Sequence, residues 1–175
     1  MKTTLIFVSS LDGKITKWND PMVRKWSSDS DKEYFNKVWR ASGLIVMGIN
    51  SFKAEPVKVS EKQLLVVMTH RPSDYNSYRV KGQIEFTDES PAELSSRFEK
   101  QGFEQMLVAG GPHIATSFLK EQLVDELWLT IEPKIFGTGA NFVTGEELDI
   151  DLGLIGFEKV NEQGTLITKY KILKK

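Results

Sequence analysis

The sequence predicts a three-layer α/β/α fold: a mostly parallel central sheet, helices on both faces, and a C-terminal antiparallel hairpin. Three observations predict it. Short runs rich in Val, Ile and Leu recur without polar alternation, as strands covered on both faces do. Between them lie stretches with the apolar spacing of one helix face. The last segment alternates in the manner of a half-buried hairpin. Strands alternating with helices and ending in a hairpin imply a parallel sheet with an antiparallel edge.

The elements follow in order. "TLIFV" is the first strand, and "KWSSDSDKEYF" leads into a helix over Asp29 to Ala41, where Tyr34, Phe35, Val38 and Trp39 share one face. "GLIVMG" is the second strand, followed after Gly48 by a short helical stretch ended by Pro56. "QLLVVMT" is the third, running into His70 and Arg71. In "SPAELSSRFEKQG", Ser90 caps a helix, Pro91 takes its first position and Gly102 ends it. "QMLVAGG" is a further strand, and "PHIATSFLKEQ" a helix with Ile114, Phe118 and Leu119 on one side. "ELWLTIEP" precedes the hairpin "GFEKV", "NEQG", "TLITKYKI".

No repeat or long linker interrupts this pattern, so residues 1–175 read as one domain. With 40% hydrophobic and 27% charged residues the composition is that of a globular protein. A formal net charge of -1 argues against nucleic acid or anionic lipid as partner. The absence of cysteine removes disulfides, thiolate metal sites and Cys nucleophiles, and fits a reducing compartment. The N-terminal apolar run, Leu5 to Val8, is too short for a signal peptide or membrane span. The expectation is a cytoplasmic protein that binds a small molecule and neither nucleic acid nor membrane.

In open α/β sheets ligands bind outside the carboxyl ends of the strands, and the informative loops fall there. In "LVAGGPHI", Gly110 and Gly111 join a strand to a helix N-terminus, where free N–H groups and the helix dipole favour an anion. The same pair also reads as a tight turn with no ligand. Gly48 in "IVMGINSF" makes a second such junction, so the two can grip both ends of a pyrophosphate. Thr69 and Arg71 at a third strand end suit a ribose phosphate, favouring NADPH over NADH. Asp12 and Gly13 mark either a bend or a loop closing over the reactive end of a ligand, as "GTGANF" does later. Asp31, one turn before Phe35, is either a first-turn acid beside the caps Ser28 and Ser30, or a carboxylate at the edge of an apolar pocket. His70 and His113 lack partners at ligand spacing, so no metal site is expected. Nothing supports a Ser–His–Asp set.

Together, "SLDGKI", "VMG", "VAGGPHI…FLKEQLVDELWLTIEPKIFGTG" and the closing hairpin resemble the reductase domain of the riboflavin-biosynthesis deaminase/reductases. They also resemble its stand-alone relatives, which share the dihydrofolate reductase fold. The resemblance implies an NADPH-dependent reductase acting on a small pteridine- or pyrimidine-like heterocycle. By it, Gly48, Ile49, Asn50 and Ser51 contact the cofactor phosphates. Thr69, His70 and Arg71 lie near the adenosine ribose, and Gly110, Gly111, Pro112, His113 and Ile114 line the pyrophosphate and nicotinamide. The riboflavin enzymes usually have Glu where Ala109 stands, and "DDP" where this chain reads "KAEPVKV". "KWSSDSDKEYF" instead follows the dihydrofolate reductase spacing, which makes Asp31 the catalytic acid. Trp26, Phe35 and Thr130 then bind substrate. Asp12 is a second catalytic candidate, and Lys14 would meet a substrate anion. A homodimer is what the riboflavin branch suggests. A true dihydrofolate reductase and a nucleotide-binding module without turnover stand as alternatives.

Overall fold

The computed structural model describes residues 1–55 and 57–174; Pro56, expected to end the helix after Gly48, lies outside them. The eight strands are β1 (Lys2–Ser10), β2 (Leu44–Gly48), β3 (Leu64–Met68), β4 (Ile84–Thr87), β5 (Gln105–Val108), β6 (Glu126–Glu132), β7 (Asp151–Lys159) and β8 (Leu166–Leu173). The helices are α1 (Asp29–Ala41), α2 (Ile49–Ala54), α3 (Pro91–Lys100) and α4 (Pro112–Lys120). One sheet runs in the order β4-β3-β2-β5-β1-β6-β8-β7. It is parallel from β4 through β6, and β8 pairs antiparallel with both β6 and β7.

The unalternating apolar runs are explained by two cores, one on each face. Successive residues of a strand point to opposite sides. Ile6, Ile45, Leu65 and Val67 pack with Trp39 of α1 and Phe86. Their neighbours Leu5, Leu44, Val46 and Val66 pack with Leu94 and Phe98 of α3 and Phe118 of α4. Every residue of β2 is buried, and each large aliphatic side chain so placed contributes about 1.5–3 kcal/mol.

Local chemistry sets the helix ends. Ser90 and Glu93 form a reciprocal capping box at α3, with Pro91 in the first turn. At α1 the Ser28 hydroxyl accepts the Asp31 N–H at 3.2 Å. β4 was not expected from "QIEFT", whose polar residues hide a strand that only β3 pairs with. The hairpin also differs from expectation. Its first strand begins at Asp151, and its second lies between β6 and β7, so Ile167 and Thr168 are both buried although they face opposite sides. β7 is the sheet edge, and it leaves Leu154, Ile155 and Phe157 exposed.

β1 and β5 are neighbours, yet α1 leaves across one face and α4 across the other. This reversal opens a crevice at the carboxyl ends of the strands. Among the described residues no helix is long and apolar enough to cross a membrane.

Candidate active site

A cleft of about 820 Å³ occupies that crevice. One wall is backbone: Gly110, Gly111 and Pro112, with Asn50 and Ser51 of α2. The facing wall carries Ser27, Asp31 and Phe35, with Thr130 from β6.

The backbone wall is tightly built. Gly48 N–H donates to the Gly110 carbonyl at 2.9 Å, which joins the two strand–helix junctions. Gly110 has φ +114°, which side chains avoid. A methyl group on Gly111 would lie 3.1 Å from Ser51 Oγ, and one on Gly48 would lie 3.0 Å from Ile114 Cγ1. Gly111 caps α4 without a side-chain acceptor, leaving first-turn N–H groups for an anion at the positive end of the dipole. These residues therefore fit a dinucleotide pyrophosphate lying against the main chain.

Other expected cofactor residues stand further back. Ile49 packs into the apolar layer beneath α2, and Ile114 supports Gly48 from α4. His113 is exposed on the first turn of α4. Thr69, His70 and Arg71 follow β3 at the same sheet edge but outside the cleft lining. His70 and Arg71 are exposed, and Thr69 Oγ1 accepts the Arg71 N–H at 3.3 Å.

On the other wall, Asp31 is 5% exposed. Its carboxyl is pushed up to about 6, first by burial; the Thr130 and Ser27 hydroxyls oppose this, the Glu132 charge adds to it, and Arg24 opposes it. Because Ser28 performs the capping, the Asp31 carboxyl is left to face the cleft. Ser27 Oγ is buried with no hydrogen-bond partner, so it lines the cleft near the carboxyl without being bonded to it. Trp26 Nε1 and Tyr34 Oη are buried and unpartnered too. Burial and Asp31 raise the Tyr34 phenol to about 12. Such orphaned polar atoms are costly unless a ligand or water completes them. Trp26 itself lies outside the cleft lining, edge-on to Phe136 at 5.1 Å.

The structure does not bring Asp12 and Lys14 into the cleft lining. Asp12 accepts the Ser10 hydroxyl at 2.6 Å and the N–H groups of Gly137 and Phe136 at 2.8 and 3.1 Å. With the Ser10 bond foremost, its carboxyl is lowered to about 2. Lys14 Nζ donates to Asn141 Oδ1 at 2.9 Å. Backbone bonds from Leu11 to Lys134 and from Ile15 to Ala140, each 2.8 Å, continue the lacing of these two segments. Gly139, at φ +144°, is pressed against Thr16, whose carbonyl would meet a methyl group there at 2.2 Å.

Sequence reading missed Ser27 and Glu132. The signal for Glu132 was present, since Thr130 and Glu132 are polar at alternate positions of an apolar strand. Among the described residues no His, Asp or Glu cluster is arranged to hold a metal ion.

The comparisons with known proteins agree with this architecture. The uncharacterized protein YwjB of Bacillus subtilis is 24% identical over 144 residues, 79% of this chain and 80% of that protein. A pyrimidine reductase-like protein from Corynebacterium diphtheriae superposes with a TM-score of 0.77 at 14% identity, covering 99% of this chain and 92% of that one. A diaminohydroxyphosphoribosylaminopyrimidine deaminase/5-amino-6-(5-phosphoribosylamino)uracil reductase from Thermotoga maritima gives 0.77 at 15% identity, covering 98% and 56%. These likenesses establish the dihydrofolate-reductase-like fold. The model of the RibD C-terminal domain matches residues 2–166, nearly the whole chain, and on that match the protein belongs to the RibD C-terminal domain family.

Proposed function

We propose that the protein is an NADPH-dependent reductase that transfers a hydride to a small pteridine- or pyrimidine-like heterocycle. Membership of the family implies an oxidoreductase, and the cleft supports the finer reading. The observation that carries it is a buried carboxyl, Asp31, facing a backbone wall that a side chain at Gly110 or Gly111 would obstruct.

When bound, NADPH supplies the hydride. The chain does the rest. Gly110, Gly111 and the first turn of α4 hold the pyrophosphate, with Asn50 and Ser51 beside it. Thr69, His70 and Arg71 meet the ribose 2′-phosphate. Phe35 offers an apolar face to the flat ring. Asp31 receives the amidine-like ring edge, assisted by the Thr130 hydroxyl. With its carboxyl raised to about 6, it holds a proton for delivery far closer to neutrality than an ordinary aspartate. Asp12 and Lys14 close the cleft by lacing its loops rather than by touching substrate. Ala109 lines the cleft where riboflavin enzymes usually carry Glu, which leaves that position apolar.

Thermal unfolding with NADPH, NADH and neither tests the reading. At a hundredfold the dissociation constant, NADPH adds about 2.7 kcal/mol of stability. No shift with either nucleotide would reduce the glycines to turns and remove the reductase reading.

The site of action we assign is the cytoplasm, and the assembly a homodimer through β7. An edge strand with exposed Leu154, Ile155 and Phe157 is a surface that a second copy would cover. Light scattering that finds only monomer at tens of micromolar chain would exclude this assembly.

A further inference from the structure

Asp31 and Glu132 are the only acids buried to this degree among the described residues, at 5% and 1% exposed. Glu132 lies on the same face of β6 as Thr130, two residues earlier, but outside the cleft lining. Its oxygens accept the backbone N–H of Ser28 at 2.7 Å and the Thr165 hydroxyl at 2.8 Å. Asn161 Nδ2 in turn donates to Thr165 Oγ1 at 2.8 Å, so the β7–β8 turn closes the back of the pocket. Among the described residues no salt bridge neutralises Glu132. Lys134, two residues further on, directs its ammonium to the Trp26 carbonyl instead. A sealed carboxylate with two neutral donors and no cation costs stability compared with an apolar residue of that size. Packing does not account for it.

What Glu132 touches accounts for it. Ser28, whose N–H it binds, is the cap of α1, and the Ser28 hydroxyl accepts the Asp31 N–H. Glu132 thus fixes the helix turn that carries Asp31. We infer that Glu132 is a positioning residue for Asp31: it anchors that turn, and its unneutralised charge favours a proton on the Asp31 carboxyl. The other groups around Asp31 do not duplicate this. Arg24, from the 3-10 turn Val23–Lys25, favours the charged form, but it is shared with Glu55 at 3.2 Å. Tyr34 of α1 is an uncharged phenol. Lys169 of β8 lies over the Trp128 ring at 4.1 Å and the Tyr34 ring at 5.9 Å.

The inference rests on reading Asp31 as the proton donor, but its test needs no turnover. Carboxyl-carbon NMR titration of labelled protein follows Asp31 directly, in the parent and in Glu132→Gln. Glutamine keeps the shape, an acceptor for Ser28 and a polar contact to Thr165, while removing the charge. The Asp31 midpoint should fall, with proton affinity reduced roughly tenfold. An unmoved or raised midpoint overturns the inference. Should the Gln variant not fold, the coupling is read from the other side. In the parent, the Glu132 carboxyl carbon should show an inflection at the Asp31 midpoint, and Asp31→Asn should abolish it. A Glu132 signal with no such inflection overturns the inference equally. Failure to bind NADPH would sink the reductase reading and leave this coupling intact, so the two failures are distinguishable.

Discussion

Two aspartates, one on a loop outside the cleft lining and one within it, have surroundings that drive them in opposite directions. Asp12 sits on a half-exposed loop among donors, a hydroxyl and two backbone N–H groups, and is lowered to about 2. Asp31 sits in a closed pocket with another carboxylate behind it and is raised to about 6. Hydrogen bonds donated to the charged form stabilise it, whereas desolvation and a like charge oppose it. The difference separates two uses of one side chain. The loop carboxylate clamps two backbone N–H groups, whereas the pocket carboxyl, raised to about 6, is the one to which we assign the proton.

The contrast is broken most severely at the pocket. Asp31→Asn should lower turnover by about 10²–10⁴-fold while the NADPH-induced rise in Tm persists. Unchanged turnover on an accepted substrate would remove Asp31 from the mechanism. The same variant should be more stable than the parent at high pH. The folded-state value of Asp31 lies above the ordinary aspartate value of 3.8. Its contribution to stability is therefore complete below about pH 4 and is lost as pH rises through about 6. Asn does not ionise, so by pH 8 the variant should gain on the order of 2–3 kcal/mol in denaturant unfolding. At pH 3.5 the advantage should vanish.

A change on the backbone wall sharpens the comparison by leaving both acids alone. Gly111→Val places carbon against Ser51 Oγ and should weaken NADPH binding about tenfold or more by calorimetry. The titration of Asp31 in the free protein should not move. The smallest effect belongs to the loop. Asp12→Asn should lower Tm modestly at pH 7, and the deficit should close as the pH falls from about 4 to about 2, where the parent carboxylate is itself protonated. Turnover should change far less than in Asp31→Asn. A loss of equal size would return Asp12 to the catalytic machinery.

Where a physical pattern is local, the sequence was readable. Serine, proline and glutamate at the start of α3 state its first turn outright, and the buried strands announce themselves by composition. β4 was hidden because only its pairing with β3 makes a strand of residues that are individually neutral. That the Asp31 carboxyl lines the cleft instead of capping α1 could not be told until Ser28 was seen to do the capping. The placement of Asp12 and Lys14 outside the cleft lining was hidden for a related reason: a charge near a ligand loop reads the same whether it faces the ligand or another loop. Glu132 depends on contacts with residues 104 and 33 positions away, which no local window contains.

The lacing between the segment around residues 10–16 and that around 134–141 governs how the cleft breathes. With backbone bonds, the Asp12 clamp and the Lys14–Asn141 bond joining them, and Gly139 wedged under Thr16, neither segment can swing away alone. Opening must be one cooperative event. Amide protons of Leu11, Ile15 and Ala140 should therefore exchange with solvent at a common rate, and a ligand that seals the cleft should slow all three together.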